Sequence, residues 1–157
     1  MTNISTAFDA IKTLLATLYP QADGWIQLTD PYNIEGNSLS MHNKGWGVAL
    51  GPGVNTNRQL ECRLSVQRTI SITLTGRRYA NELHTENKEV AEKELLEAQF
   101  LLIQALEKEP QLNNSSSGIT RFRYASDSGI ENVIAGNDAF IKIVSDFELE
   151  YFEQLYT

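Results

Sequence analysis

The chain contains two long stretches in which apolar and polar residues alternate with a period of two. In the first, residues 60–75, the even positions are apolar except for Arg68, and the odd positions are mostly polar. In the second, residues 141–151, the odd positions carry most of the apolar side chains. Because successive side chains of a strand point to opposite faces, each stretch predicts a β-strand with one buried and one exposed face.

Two amphipathic helices are predicted by apolar residues that recur every three or four positions. Residues 4–18 form the first, with Ser5 or Thr6 as the predicted N-terminal cap. Residues 86–108 form a second, longer helix, which Thr85 can cap. Each helix has one apolar face, so each is expected to pack on the sheet.

Four shorter strands are also predicted. They lie at residues 25–28, 46–50, 119–124 and 131–134, with a turn at residues 126–129 between the last two. The order of helix, strands, helix and strands predicts an α+β fold in which a largely antiparallel, twisted sheet packs against the two helices.

A single domain is expected to span residues 1–157, since this length suits one hydrophobic core. Within it, residues 29–59 are rich in Asn, Gly, Ser and Pro, which predicts an irregular segment. Such segments inside a compact domain usually have a function or are mobile. Residues 60–75 would extend about 50 Å as one strand. We therefore expect that strand either to bend at Arg68 or to continue beyond the domain as an arm.

Charge and cysteine content exclude several classes of protein. The formal net charge is −7 and the pI is about 4.8, which argues against a dedicated nucleic-acid-binding protein. Cys62 is the only cysteine, so no internal disulfide can form, and its position in the alternating pattern predicts that it faces the core. No signal-peptide pattern and no apolar run of about 18 residues is present, so a soluble protein without a membrane partner is expected.

No group of residues carries a recognisable reaction chemistry. The two histidines, His42 and His84, are far apart, and neither has a second histidine or cysteine at metal-ligand spacing. The glycine-rich residues 45–47 and 51–53 lack the lysine and the following helix of a phosphate loop. We therefore predict no catalytic, cofactor or metal site, and we do not expect an enzyme.

Two features are candidates for a protein interface. Trp46 lies between two glycines, where it is either an anchor for a partner or part of the protein's own core. The pair Arg77 and Arg78, with Arg68 and Arg63 upstream, is the strongest basic feature of an acidic chain. It is better suited to carboxylates across a protein interface than to nucleic acid.

Nearly the whole chain follows a familiar order of elements. After the first helix come KGWGVALGPGVNTNR at residues 44–58, LSVQRTISITLTGRR at 64–78, KEVAEKELLEAQFLLIQAL at 88–106, SDSGIENV at 126–133 and FIKIVSDFELEYFE at 140–153. This order resembles the tail terminator, or tail-completion, proteins of long-tailed bacteriophages, particularly those with non-contractile tails.

The resemblance implies a structural virion protein without a reaction or a cofactor. Six copies would form a ring that caps the tail tube, ends its polymerisation and offers a surface for docking of the head. The expected partners are further copies of the chain, the tail tube protein and a head-completion or neck protein. Assembly would take place in the host cytoplasm, and DNA would pass through the ring without sequence-specific binding.

The family has no catalytic motif to transfer, so the interface residues are predicted from this sequence itself. They are Trp46, Arg58, Arg68, Arg77 and Arg78. Two alternatives stay open: a head–tail connector or minor tail protein, and an α+β enzyme or ligand-binding domain of a kind that we do not recognise.

Overall fold

The structure, a computed structural model, describes residues 2–32, 44–56, 63–78, 85–108, 118–135 and 138–155. Those ranges hold two α-helices, six β-strands and a short 3-10 turn at Gln21–Asp23. The helices are α1 (Asn3–Leu18) and α2 (Thr85–Lys108), and the strands are β1 (Ile26–Gln27), β2 (Lys44–Asn55), β3 (Arg63–Arg78), β4 (Ile119–Asp127), β5 (Glu131–Ala135) and β6 (Asp138–Gln154).

The strands form one sheet in the order β1-β2-β3-β6-β4, and β5 also pairs with β6. Every pairing is antiparallel except the short parallel contact between β1 and β2. The predicted α+β fold, with a largely antiparallel sheet packed against two helices, is confirmed.

Strand β3 has no break in its pairing with β6 at Arg68, and it does not extend as a free arm within the described residues. It pairs with β6 over its whole length, from Arg63 opposite Gln154 to Arg78 opposite Ala139. Two long partners satisfy each other's backbone donors and acceptors, which is why both strands can be much longer than average. Cys62 lies outside the described residues.

The irregularity that we expected in β3 occurs in its neighbour β2. Leu50 pairs with Ile70 and Gly53 with Arg68, so two residues of β2 lie opposite Thr69. This is a β-bulge, and it accommodates the Gly-Pro sequence inside a strand that continues to Asn55. The strand predicted at residues 46–50 is therefore more than twice as long in the structure.

Strands β4 and β5 do not pair with each other. Strand β4 pairs with residues 145–151 of β6, and β5 pairs with residues 138–142 of the same strand. Because β3 occupies the other edge of β6, β4 and β5 lie end to end along one edge. The turn predicted at 126–129 begins later, since β4 continues to Asp127.

The core lies between the sheet and the two helices. The alternation in β3 and β6 turns the even residues of β3 and the odd residues of β6 toward the helices, as the sequence predicts. The fully buried members include Ile11 and Leu15 of α1, Leu102 of α2, Ile70, Ile72 and Leu74 of β3, and Ile143, Phe147 and Leu149 of β6.

Helix α1 is capped by residues at both ends of the chain. The Thr2 hydroxyl accepts a hydrogen bond from the Ser5 backbone N–H at 3.2 Å, so the prediction of Ser5 or Thr6 as the cap is wrong. The Glu153 carboxylate of β6 accepts the N–H groups of Asn3 and Ile4 at 2.9 and 2.8 Å. These contacts satisfy backbone donors that a helix start otherwise leaves unpaired, and they join α1 to the end of β6.

Candidate protein interface

The Trp46 side chain belongs to the core and not to an exposed surface. It lies opposite Leu74 in the sheet, is 4% exposed, and packs in the same cluster as Tyr19 at the end of α1. The neighbouring Gly47 allows Pro31 to pack closely on the other face of the sheet, since a Cβ on Gly47 would lie 3.2 Å from the Pro31 Cβ. Of the two roles considered for Trp46, the structure supports the core, and the prediction of an exposed anchor is wrong.

Arg68 is half-buried and bonds within its own chain. Its Nε donates to the Tyr151 hydroxyl at 3.1 Å, and its Nη1 donates to the Gly51 carbonyl oxygen at 3.0 Å. A Cβ on Gly53 would lie 2.9 Å from the Arg68 Cζ, so any larger residue there would displace the guanidinium from its present position. Arg68 therefore holds the bulge of β2, and its role at an interface stays a prediction.

The structure describes the other three predicted arginines only in part. Arg77 and Arg78 end strand β3, opposite Phe140 and Ala139 of β6, but their side chains lie outside what is described. Arg58 lies outside the described residues altogether. The interface role of all three stays a prediction.

The outward face of α2 carries exposed apolar side chains that the sequence analysis did not single out. Leu96, Phe100 and Leu101 are 45%, 57% and 50% exposed. The helix buries Leu95, Ala98, Gln99, Leu102 and Leu106, and its apolar runs continue around to the solvent side. The signal was present in the sequence, because paired apolar residues such as those at 95–96 and 100–103 cannot all face one side of a helix.

Part of this face borders an open groove, which we call the acidic groove. It has a volume of about 500 Å³ and lies between α2 and the start of β2. Its lining residues are Trp25, Lys44, Glu94, Glu97, Ala98, Phe100 and Leu101. The Lys44 ammonium donates to the Asp23 carbonyl oxygen at 3.2 Å and lies 5.8 Å from the centre of the Trp25 ring, so contacts at the edge of the groove hold it in place.

A second surface feature lies at the opposite end of the sheet, and we call it the C-terminal patch. Its members are Arg63, which is exposed, and Phe152, which is half-buried. The Arg63 guanidinium stacks 3.6 Å from the centre of the Phe152 ring, which is cation–π geometry. The patch thus combines a cation with apolar surface.

The sheet face opposite the helices carries a row of carboxylates on β6. These are Asp146, Glu148 and Glu150. The Ser71 hydroxyl bonds to Asp146 Oδ1 at 2.7 Å, and Arg123 forms an ion pair with Glu148 at 2.7 Å. The hydrogen bond and the charge of Glu148 raise the pKa of Arg123. The row is therefore partly neutralised by its neighbours and is not a cluster of unpaired acids.

A hydrogen-bond network attaches α2 to the sheet near the end of β4. The Gln99 side chain donates to Asp127 Oδ2 at 3.1 Å and to the Ser145 hydroxyl at 2.9 Å. The Tyr124 hydroxyl donates to the same carboxylate, and the Gly129 N–H donates to Asp127 Oδ1 at 2.7 Å. These bonds, with that of Tyr124 first, lower the pKa of Asp127, and the shared bond raises the pKa of Tyr124. The network fixes the position of α2.

The part of the chain that the structure describes contains no candidate metal site and no candidate membrane-spanning helix. No three metal-ligating side chains come together there, and neither helix has the length and apolarity to cross a bilayer. His42 and His84 lie outside the described residues. Comparison of the sequence with protein-family models and with curated proteins gives no match.

Proposed function

We propose that this chain is a subunit of a phage tail terminator: a structural virion protein that forms a ring on the tail tube, ends tube polymerisation and offers the head-docking surface. The observation that carries the proposal is the resemblance in the order of elements along nearly the whole chain. The folded chain has helix, strands, helix and strands in that same order, with two very long strands at its centre.

The exposed apolar face of α2 supports a role in assembly. Large apolar side chains that stay exposed together on one helix are typical of surfaces that bind other proteins. Phe100 and Leu101 are both at least half exposed and lie on successive positions of α2. A ring subunit needs a contact on each flank and further contacts with what lies above and below it. This face suits one of those contacts.

The charge of the chain suits a ring through which DNA passes. With a net charge of −7, six copies around a channel repel the phosphates and reduce pausing of the DNA. The same charge disfavours sequence-specific binding. The proposed partners are accordingly further copies of the chain, the tail tube protein and a head-completion or neck protein.

The first experiment measures the absolute mass of the purified protein by light scattering, alone and with preassembled tubes of the tail tube protein. We expect a sixfold mass, or a monomer that forms a ring only on tubes, together with an end to tube growth. A monomer that ignores the tubes would contradict the proposal. A protein that binds the head side and leaves tube length unchanged would instead be a head–tail connector.

A second experiment tests the basic pair at the end of β3. Reversal of Arg77 and Arg78 to Glu is expected to abolish ring formation, because a cationic contact then becomes repulsive. The control reverses Lys12 and Arg121 instead and so changes the net charge equally. Unchanged rings in the first variant would remove the pair from the interface.

A further inference from the structure

We propose that copies of this chain associate head to tail, with the C-terminal patch of one copy seated in the acidic groove of the next. The inference deepens the proposed function, on which it rests, by naming the two surfaces that form the contact between subunits. It depends on three features of the described residues: the chemistry of the groove, the chemistry of the patch, and their separation within one subunit.

The groove has both apolar and charged lining residues, and carboxylates outnumber cations. Trp25, Phe100 and Leu101 supply apolar surface, whereas Glu94 and Glu97 of α2 and Lys44 of β2 give the lining one net negative charge. Residues 89–97 of α2 carry four glutamates and one lysine, which adds to the negative charge of this end of the helix. An occupant that brings both an apolar side chain and a cation suits this lining, since an apolar segment alone would leave the carboxylates next to a desolvated surface.

The C-terminal patch has this combination. The half-buried Phe152 ring supplies apolar surface, and Arg63 lies over that ring at 3.6 Å. A guanidinium that is already held on an aromatic ring loses less side-chain entropy when it binds a carboxylate. Aromatic and arginine side chains are also the residue types most enriched at the centres of protein interfaces.

The two surfaces lie at opposite ends of the long β3–β6 ladder. Lys44, at the groove, pairs with Gly76 near one end, and Arg63 pairs with Gln154 at the other. The separation along β3 is about 40 Å at about 3.3 Å per residue. One subunit therefore cannot place its own patch in its own groove. A contact between two different, complementary surfaces is heterologous, and it closes into a ring when the rotation between copies permits.

The test is a charge exchange. We expect Glu97→Arg and Arg63→Glu each to weaken association of the full-length protein by about tenfold or more, as reversals of close interface charges do. The double variant Glu97→Arg/Arg63→Glu restores the attraction with the signs exchanged and is expected to recover association. Phe100→Ser probes the apolar half of the contact and is expected to weaken association without recovery.

The readout is the mass distribution by sedimentation velocity over a range of protein concentrations, with and without tubes of the tail tube protein. Glu107→Arg, on the same helix but outside the groove, is the matched control and should associate normally. Circular dichroism melting curves check that each variant is folded.

The outcomes separate this inference from the proposed function. If the unaltered protein forms rings and both single reversals do so equally well, the head-to-tail contact is wrong while the tail terminator proposal stands. If the reversals abolish binding to tubes and the double variant does not recover association, the groove binds the tube protein and not a second copy. If the unaltered protein never associates under any condition, both proposals fail.

Discussion

Replacement of Trp46 by alanine gives a direct measure of the tryptophan's place in the core. Its ring lies beneath the helices, opposite Leu74, and only 4% of the residue is exposed. Truncation therefore removes a large buried surface and leaves a cavity that the surrounding strands can fill only in part. An exposed anchor would behave differently, because its loss would leave the stability of the isolated subunit almost unchanged.

The expected loss of stability follows from the buried area. A tryptophan side chain buries roughly 200 Å², and at about 25 cal/mol per Å² this corresponds to roughly 5 kcal/mol. Alanine keeps a small part of that burial, and measured losses for such truncations are about 3–5 kcal/mol. We therefore expect Trp46→Ala to lower the free energy of unfolding by about 4 kcal/mol. For a chain of this size that corresponds to a fall of about 8–16 °C in Tm.

The assay is urea unfolding of the isolated protein followed by far-ultraviolet circular dichroism, since tryptophan fluorescence itself changes in the variant. Val54→Ala, on the same strand at a residue that is 64% exposed, is the control and should change stability by less than about 0.5 kcal/mol. A loss below about 1 kcal/mol for Trp46→Ala would refute the core assignment. It would also return Trp46 to the list of interface residues.

Three further changes test contacts that hold elements together. Gly53→Ala places a methyl group 2.9 Å from the Arg68 guanidinium, and we expect the broken hydrogen bonds to lower the free energy of unfolding by about 1–3 kcal/mol in urea titrations. Glu153→Ala removes the carboxylate cap of α1 and should cost about 1 kcal/mol in the same assay. The pKa of Asp127 is lower in the folded protein than in the unfolded chain, so its stabilising effect is present above the unfolded pKa of about 3.9 and is lost as the pH falls through the folded value. The stability difference between the unaltered protein and Asp127→Asn should accordingly be constant near pH 6 and shrink on acidification below pH of about 4.

Each of these changes has its own control. Gly76→Ala meets only ordinary contacts, the nearest being Ile141 Cγ1 at 3.4 Å, and should be tolerated, so equal losses at both glycines would contradict the account of Arg68. Glu150→Ala removes a carboxylate of β6 that does not cap a helix, and a loss as large as that of Glu153→Ala would argue against capping. For Asp127→Asn, a stability difference that stays the same down to pH 3 would show that the charge of the carboxylate is not what stabilises the network.

Local pattern was sufficient for the elements that dominate the core. Both helices, the cores of β3 and β6 and the face that each strand buries follow from apolar periodicity, because a strand or helix with one apolar face has only one stable orientation against a core. The α+β class followed from the order of those elements. The positions of the two long strands could be predicted, but not that they pair with each other. The alternating pattern indicates which face of a strand is buried and not which strand lies beside it.

Tertiary contacts decided the features that matter for the candidate interface. Trp46 in its Gly-Trp-Gly setting fits an interface anchor or a core residue equally well in sequence, and only its pairing opposite Leu74 and its burial place it in the core. The same is true of Arg68, because its bonding to Gly51 and Tyr151 depends on a bulge in another strand. The acidic groove was not predicted, since its residues come from α2, β2 and the segment before β1.

The sequence by itself determined where the two helices and the two long strands lie and which face of each is buried, because those properties depend on neighbours within a few positions. The tertiary structure alone decided that Glu153 caps α1, that β4 and β5 share one edge of β6, and that the acidic groove and the C-terminal patch lie at opposite ends of the sheet. Each of these contacts joins residues that are distant in the chain. Their energies depend on the register of the whole sheet, which no local pattern encodes.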